Sequence, residues 1–236
     1  MQQRIFSNNS GVSNLNEWYT KEITDASYKE LIMLTKWIND IYGYHPVIIG
    51  GWAVFSYAPS LGSRDIDIVF PTRESVGKVL LPYYTMRGYQ EEGLFTKHFF
   101  LPIQTKTGLE KIILDACSLA DKNRLHENKD IELPWELTQQ YYQEWELEKN
   151  TKVQVPQIEL LILYKIKALC DRRYDLEHLS PNPRDREYMN SKIWKDEHDI
   201  QVLTQHTFNK EVLQHIAKSV NFEKYYQREM KRLKLH

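Results

Sequence analysis

The chain has 236 residues, 42% of them apolar and 27% charged, with a formal net charge of -1. That length and balance suit one large globular unit or two small ones packed together, and lie far from the low-hydrophobicity, high-charge regime of disordered chains. A near-neutral total excludes a global attraction to nucleic acid or anionic membrane, so any polyanion must be met by a local patch.

The opening residues, MQQRIFSNNSGVSNLNEW, hold no apolar targeting segment, and no later run reaches the ~18 apolar residues of a membrane span. The expectation is a cytoplasmic protein with no membrane partner and a loosely held lead-in over residues 1–27. From Tyr28, the apolar positions Leu31, Ile32, Leu34, Trp37, Ile38 and Ile41 recur at helical spacing until Gly43. Val47, Ile48 and Ile49 then read as a short strand closing on Gly50-Gly51, and Trp52 to Tyr57 as a helix broken by Pro59. Residues 64–70, RDIDIVF, alternate charged and apolar side chains at period two, which puts Asp65 and Asp67 on one face of a strand.

Glu74 to Tyr84 reads as a helix, Gly93 to Leu101 as a strand, and Leu109 to Leu119 as another strand carrying Asp115 near its end. A polar connection containing Pro134 and Pro156 follows. The remainder reads as helices over 158–173, 193–204 and 211–233, with Ser180-Pro181-Asn182-Pro183 as a loop. The predicted fold class is α+β with an α/β-like first half: a small mixed sheet flanked by helices in a catalytic unit over 28–133, then a mainly helical unit over 134–236. Cys117 and Cys170 stand in apolar surroundings without metal-ligand spacing and are expected as buried thiols.

An acid-x-acid pair alone is a weak signal in a chain this rich in Asp and Glu; its context carries the weight. Asp65 and Asp67 follow a strand, a Gly-Gly turn and a helix, and Asp115 lies in KIILDACSL, a strand-like run with no structural need for a charge. Half-buried carboxylates are costly unless something compensates them. Mg²⁺ does so with a few carboxylate oxygens plus substrate phosphates and water, and three carboxylates can hold two such ions for in-line phosphoryl transfer; Mn²⁺ is the alternative metal. Gly50 and Gly51 would let the backbone approach a triphosphate and offer N–H donors at a helix start.

The apolar strand ending in Gly-Gly, the Arg64-Asp65-Ile66-Asp67-Ile68 segment and the later Asp115 resemble the DNA polymerase beta superfamily of nucleotidyltransferases. The resemblance spans roughly residues 46–116 and implies an NTP donor, Asp65, Asp67 and Asp115 as catalytic metal ligands, and Gly50, Gly51 and Arg64 at the nucleotide. Many members carry Gly-Ser at the turn, whose hydroxyl contacts a phosphate. In the second half, Lys165-Ile166-Lys167-Ala168-Leu169 and Lys195-Asp196-Glu197-His198-Asp199-Ile200 resemble segments of the AbiEii-like enzymes, the toxins of type IV toxin-antitoxin systems. That resemblance implies Lys165, Lys195 and Asp199 near the nucleotide, Asp196 beside them, tRNA or protein as acceptor, and an antitoxin protein as partner. Gly50-Gly51-Trp52-Ala53 with Arg64-Asp65-Ile66-Asp67 is also similar to aminoglycoside and lincosamide nucleotidyltransferases, which implies a small-molecule acceptor.

Other features have plainer explanations. His98 and His198 share no ligand spacing and are expected as solvated or core histidines. The run Lys224, Arg228, Lys231, Arg232 and Lys234, interleaved with Tyr225 and Tyr226, could grip RNA phosphates; a solvated basic last helix explains it equally cheaply and is preferred because the run is short and the whole chain is not basic. A non-catalytic nucleotide-binding scaffold is the alternative of another class, and the three intact aspartates argue against it.

Overall fold

The computed structural model describes residues 19–59, 61–92, 98–179 and 182–235. Helix α1, Lys21–Tyr42, starts where the Thr20 hydroxyl accepts the Ile23 N–H, and ends at Gly43, whose φ of 68° provides a left-handed cap. It begins earlier than the period from Tyr28 suggests, because Thr20 is a good cap and Ile23, Thr24 and Ser27 continue the buried face. Residues 21–27 are therefore helical rather than lead-in.

Strand β1 (Val47–Ile49) leads directly into α2 (Gly50–Tyr57), followed by β2 (Ile66–Phe70) and α3 (Arg73–Arg87). Next come β3 (Gln90–Glu92), β4 (His98–Thr105) and β5 (Gly108–Ser118). Part of the strand expected over 93–101 lies outside the described residues; β4 itself continues to Thr105.

The connection expected between Pro134 and Pro156 is structured. A short 3₁₀ helix, Trp135–Gln139, precedes the hairpin of β6 (Tyr142–Glu148) and β7 (Thr151–Pro156). Its apolar signal is sparse, Leu147 on β6 and the fully buried Val153 and Val155 on β7, and the polar residues between them mask it. The strand order is β3-β4-β5-β2-β1-β7-β6, one mixed seven-stranded sheet. Thus β7, from the half read as helical, lies parallel to β1 and completes the sheet that carries the aspartates.

Helix α4, Ile158–His178, is buried on nearly every side through its first half, as expected for a helix enclosed by sheet and helices. Helix α5 runs Pro183–Thr204 and starts ten residues before the predicted Ile193, because Asn182 caps it and Pro183 suits the first turn. The last predicted helix is two, α6 (Lys210–Ser219) and α7 (Glu223–Arg232). Asn221, at φ 56°, breaks them while Phe222 inserts fully into the core.

Buried charges in the scaffold are paired, as burial demands. Glu30, 2% exposed, accepts from Tyr83 at 2.7 Å and Arg87 at 2.7 Å, pinning α1 to α3. Glu229, fully buried on α7, pairs with Arg173 of α4. Among the described residues, no helix is long and apolar enough to cross a membrane.

Candidate active site

The register of the central strands assembles the acidic side of a cleft. Asp67 on β2 stands opposite Ile49 of β1 on one flank and Asp115 of β5 on the other, and Asp65 immediately precedes β2. Gly50, at φ 66°, turns β1 into α2 beneath Asp67, and a Cβ there would lie 2.0 Å from Asp67 Oδ2. Only glycine permits that approach and that backbone at once. A Cβ on Gly51 would sit 2.9 Å from the Ser63 hydroxyl and 3.4 Å from Lys195 Nζ. Ser63 therefore places a hydroxyl beside the position that the side chain of a Gly-Ser turn would fill.

Helices α4 and α5 close the other wall with Lys165, Arg172, Lys192, Lys195 and Asp196, enclosing a cleft of about 450 Å³. That volume lies within the usual range of small-molecule sites. Tyr19, Trp135, Tyr164 and Tyr188 add aromatic surface.

Electrostatics separate the two walls. Asp65 is 6% exposed; one of its oxygens pairs with Lys192, while Oδ1 is buried without a hydrogen-bond partner among the described residues. Burial raises the Asp67 carboxyl well above the ordinary carboxylate range, and the neighbouring Asp115 and Asp65 charges raise it further. Lost hydration and then the Asp65 charge also raise Asp115, although it opens to the cleft. On Lys192, burial opposes the charge but Asp65 outweighs it, so the ammonium is held well above its usual value.

An excess of carboxylates over lysine here, with an orphaned buried oxygen on Asp65, fits a divalent cation in donor chemistry and charge. Among the described residues no three acidic, histidine or cysteine side chains gather tightly enough to hold a metal by themselves. Mg²⁺ suits such a partial site, since it retains water and takes substrate phosphate oxygens into its shell.

On the helical wall two ammoniums share one buried carboxylate. Lys165 Nζ lies 2.7 Å from Asp199 and 3.2 Å from Asp196, and Lys195 Nζ lies 2.9 Å from both Asp199 oxygens. Arg172 also bonds Asp196. Burial lowers the Lys195 pKa against the pull of Asp199, and the nearby Lys165 adds to the lowering. Burial opposes the Asp199 charge, yet Lys165 and Lys195 together hold that carboxyl below its ordinary value. The surplus positive charge faces the cleft, where a polyphosphate would relieve it.

Most residues singled out in the sequence meet here: Gly50, Gly51, Asp65, Asp67, Asp115, Lys165 and Lys195 line the cleft. Asp199 lies beneath it, fully buried, and orients the lysines without lining the cleft itself. Arg64 is not brought to the lining; its Nη2 donates to Glu110 Oε2 at 3.2 Å and the Lys111 carbonyl at 3.1 Å. It lies in the bend before β2, where its side chain turns toward β5. Lys195, Asp196 and Asp199 do not form an exposed ion-paired helix face, being only 4%, 2% and 0% exposed.

Sequence reasoning missed Lys192 and Ser63. Lys192 stands three residues before Lys195 on one helix face, a usable signal once α5 is extended to Pro183. Ser63 lies outside any regular element and has no local signature.

His198 is half-buried and stacked on Trp194 at 5.4 Å, and burial pulls its pKa down; the His98 side chain lies outside the described residues. Arg228 pairs with Glu127 at 2.7 Å while Tyr225 is 7% exposed, a structural use of the basic last helix. Cys170 is buried; Cys117 is half-buried, with burial pushing its thiol up to about 12.

No protein-family model matches this chain, and no curated protein matches it in sequence. Among solved structures it is similar to that of the antibiotic-resistance factor ANT(2'')-Ia. The likeness has 19% identity and a TM-score of 0.45, and covers 86% of this chain and 97% of that one. A likeness at that level leaves function to be argued from the cleft.

Proposed function

We propose that the chain is a nucleotidyltransferase that moves a nucleoside monophosphate from an NTP to an acceptor hydroxyl and releases pyrophosphate. One observation carries this reading: Asp65, Asp67 and Asp115 face Lys165, Arg172, Lys192 and Lys195 across a single cleft. Such opposed charge suits a metal-bound triphosphate better than a neutral ligand or a bare anion.

Lys165, Lys195 and Arg172 would bind the triphosphate oxygens, with Asp199 and Asp196 beneath them fixing the ammonium and guanidinium positions. The Gly50-Gly51 turn removes side chains where phosphate and Asp67 must come close. The acceptor oxygen bonds to the α-phosphorus while the bond to the bridging oxygen breaks, and pyrophosphate leaves with that electron pair. Asp115, which opens to the cleft, would take the acceptor proton. Two Mg²⁺ ions, or Mn²⁺, on Asp65, Asp67 and Asp115 would supply charge neutralisation and in-line alignment.

Two finer readings share this donor chemistry. The Lys165 and Lys195 segments, which meet at Asp199, support an AbiEii-like enzyme acting on tRNA or protein and restrained by an antitoxin. The Gly-Gly-Trp-Ala turn supports a small-molecule acceptor. Incubation with each α-³²P-labelled NTP, Mg²⁺ and separate pools of tRNA, protein and hydroxylated small molecules tests both. Label in the RNA or protein pool supports the first, and label in the small-molecule pool the second. Nucleotide binding without transfer to any pool would instead favour the scaffold reading.

A further inference from the structure

Asp67 and Asp115 line a second cavity on the side away from the lysines. This trough, about 620 Å³, lies between α3 and the sheet, where β1, β2, β4 and β5 contribute to its lining, and its remaining walls are uncharged. Leu81 is 59% exposed at its mouth, and Tyr84 stacks on Phe99 at 4.4 Å to form an aromatic wall. Trp135 and Ile49 border both cavities, so cleft and trough meet at the two carboxylates.

We propose that this trough is the acceptor subsite, and that the acceptor is an uncharged small molecule whose apolar, ring-sized body carries the hydroxyl to be nucleotidylated. The inference rests on the nucleotidyltransferase reading and deepens it. Four cationic side chains commit the cleft to the triphosphate, so the attacking oxygen must come from the opposite side of the carboxylates. On that side a polycation finds no acid beyond the two reacting aspartates, and a nucleic acid finds no lysine or arginine for its phosphates. What the trough offers is apolar and aromatic surface to desolvate. The hydroxyl oxygen bonds to the α-phosphorus, the bridging P–O bond breaks, pyrophosphate takes the electron pair, and the proton passes to Asp115.

Gly77 provides the test. It lines the trough from α3, and a Cβ there meets no atom within 4 Å, so Gly77→Leu fills the trough without distorting the helix. Leu81→Asp, on an already exposed side chain, is an independent second variant that places a charge at the mouth. The probe is 2-(2-naphthyl)ethanol, followed by its fluorescence on titration with the full chain and by label transfer from α-³²P-ATP with Mg²⁺. Expected are binding and labelling of the probe, with both variants weakening it at least about tenfold while ATP affinity stays within about twofold. Label entering an aminoglycoside or tRNA while the naphthyl alcohol neither binds nor reacts would overturn the proposal. Probe binding that both variants leave unchanged would also overturn it. If ATP is not bound at all, the nucleotidyltransferase reading fails, and the nucleotide-free titration still decides whether the trough takes an apolar alcohol.

Discussion

Asp67 packs over Gly50 with no room for a Cβ between them and shares its end of the cleft with Asp65 and Asp115. Its carboxyl is raised in the folded chain, so the proton is bound more tightly there than in the unfolded chain. The associated stability is present below the ordinary carboxylate range and is lost as pH rises through the raised value. Without divalent ions, the chain is therefore expected to melt at lower temperature as pH rises from acid through that value. Asp67→Asn should flatten the slope and raise the melting temperature at neutral pH, by about 2–4 °C for each kcal/mol recovered. Melting curves with identical pH slopes for both proteins would contradict this. The aspartates were legible in the sequence because a charge on an apolar strand face needs a reason. Arg64 misled because it lies in the bend before β2 and spends its guanidinium on Glu110 and the Lys111 carbonyl of β5.

At the scale of elements, α2 fits against the segment before β2 only because Gly51 gives its space to Ser63. Gly51→Ser alone should destabilise by about 1–3 kcal/mol through overpacking, and Ser63→Gly added to it should restore most of the loss. Urea unfolding of the two singles and the double checks this, and additive effects would show that the two positions do not compete for space. Helix α1 and the strand–Gly-Gly–helix unit were legible from periodicity and breakers. The starts of α1 and α5 were set instead by the Thr20 and Asn182 caps, single side chains upstream of the apolar pattern. The split between α6 and α7 depends on Phe222 entering the core, which helical spacing does not reveal.

For the whole molecule, the sequence suggested a catalytic first half and a helical second half, but β7 extends the same sheet beside β1. Gln154 N–H donates to the Pro46 carbonyl at 2.8 Å and the Tyr57 hydroxyl to the Pro156 carbonyl at 2.7 Å, across that division. Leu160, Leu161, Ile162 and Leu163 of α4 are fully buried in the same core. A fragment ending at residue 133 should therefore show no cooperative urea transition, and a cooperative one would make the first half an independent domain. The long-range pairing was hidden because a short strand records its own alternation but not its partner. Joining the halves also brings the lysines of α4 and α5 to the aspartates of β2 and β5, on which the functional account depends. The most direct test is pyrophosphate release with Mg²⁺ and NTP by the intact chain and by Asp65→Asn/Asp67→Asn, with acceptor present. Release by the natural chain and a fall of at least about a hundredfold in the folded double variant is the predicted result. Equal rates in the two proteins, or no release by either despite bound nucleotide, would contradict the assignment of this cleft.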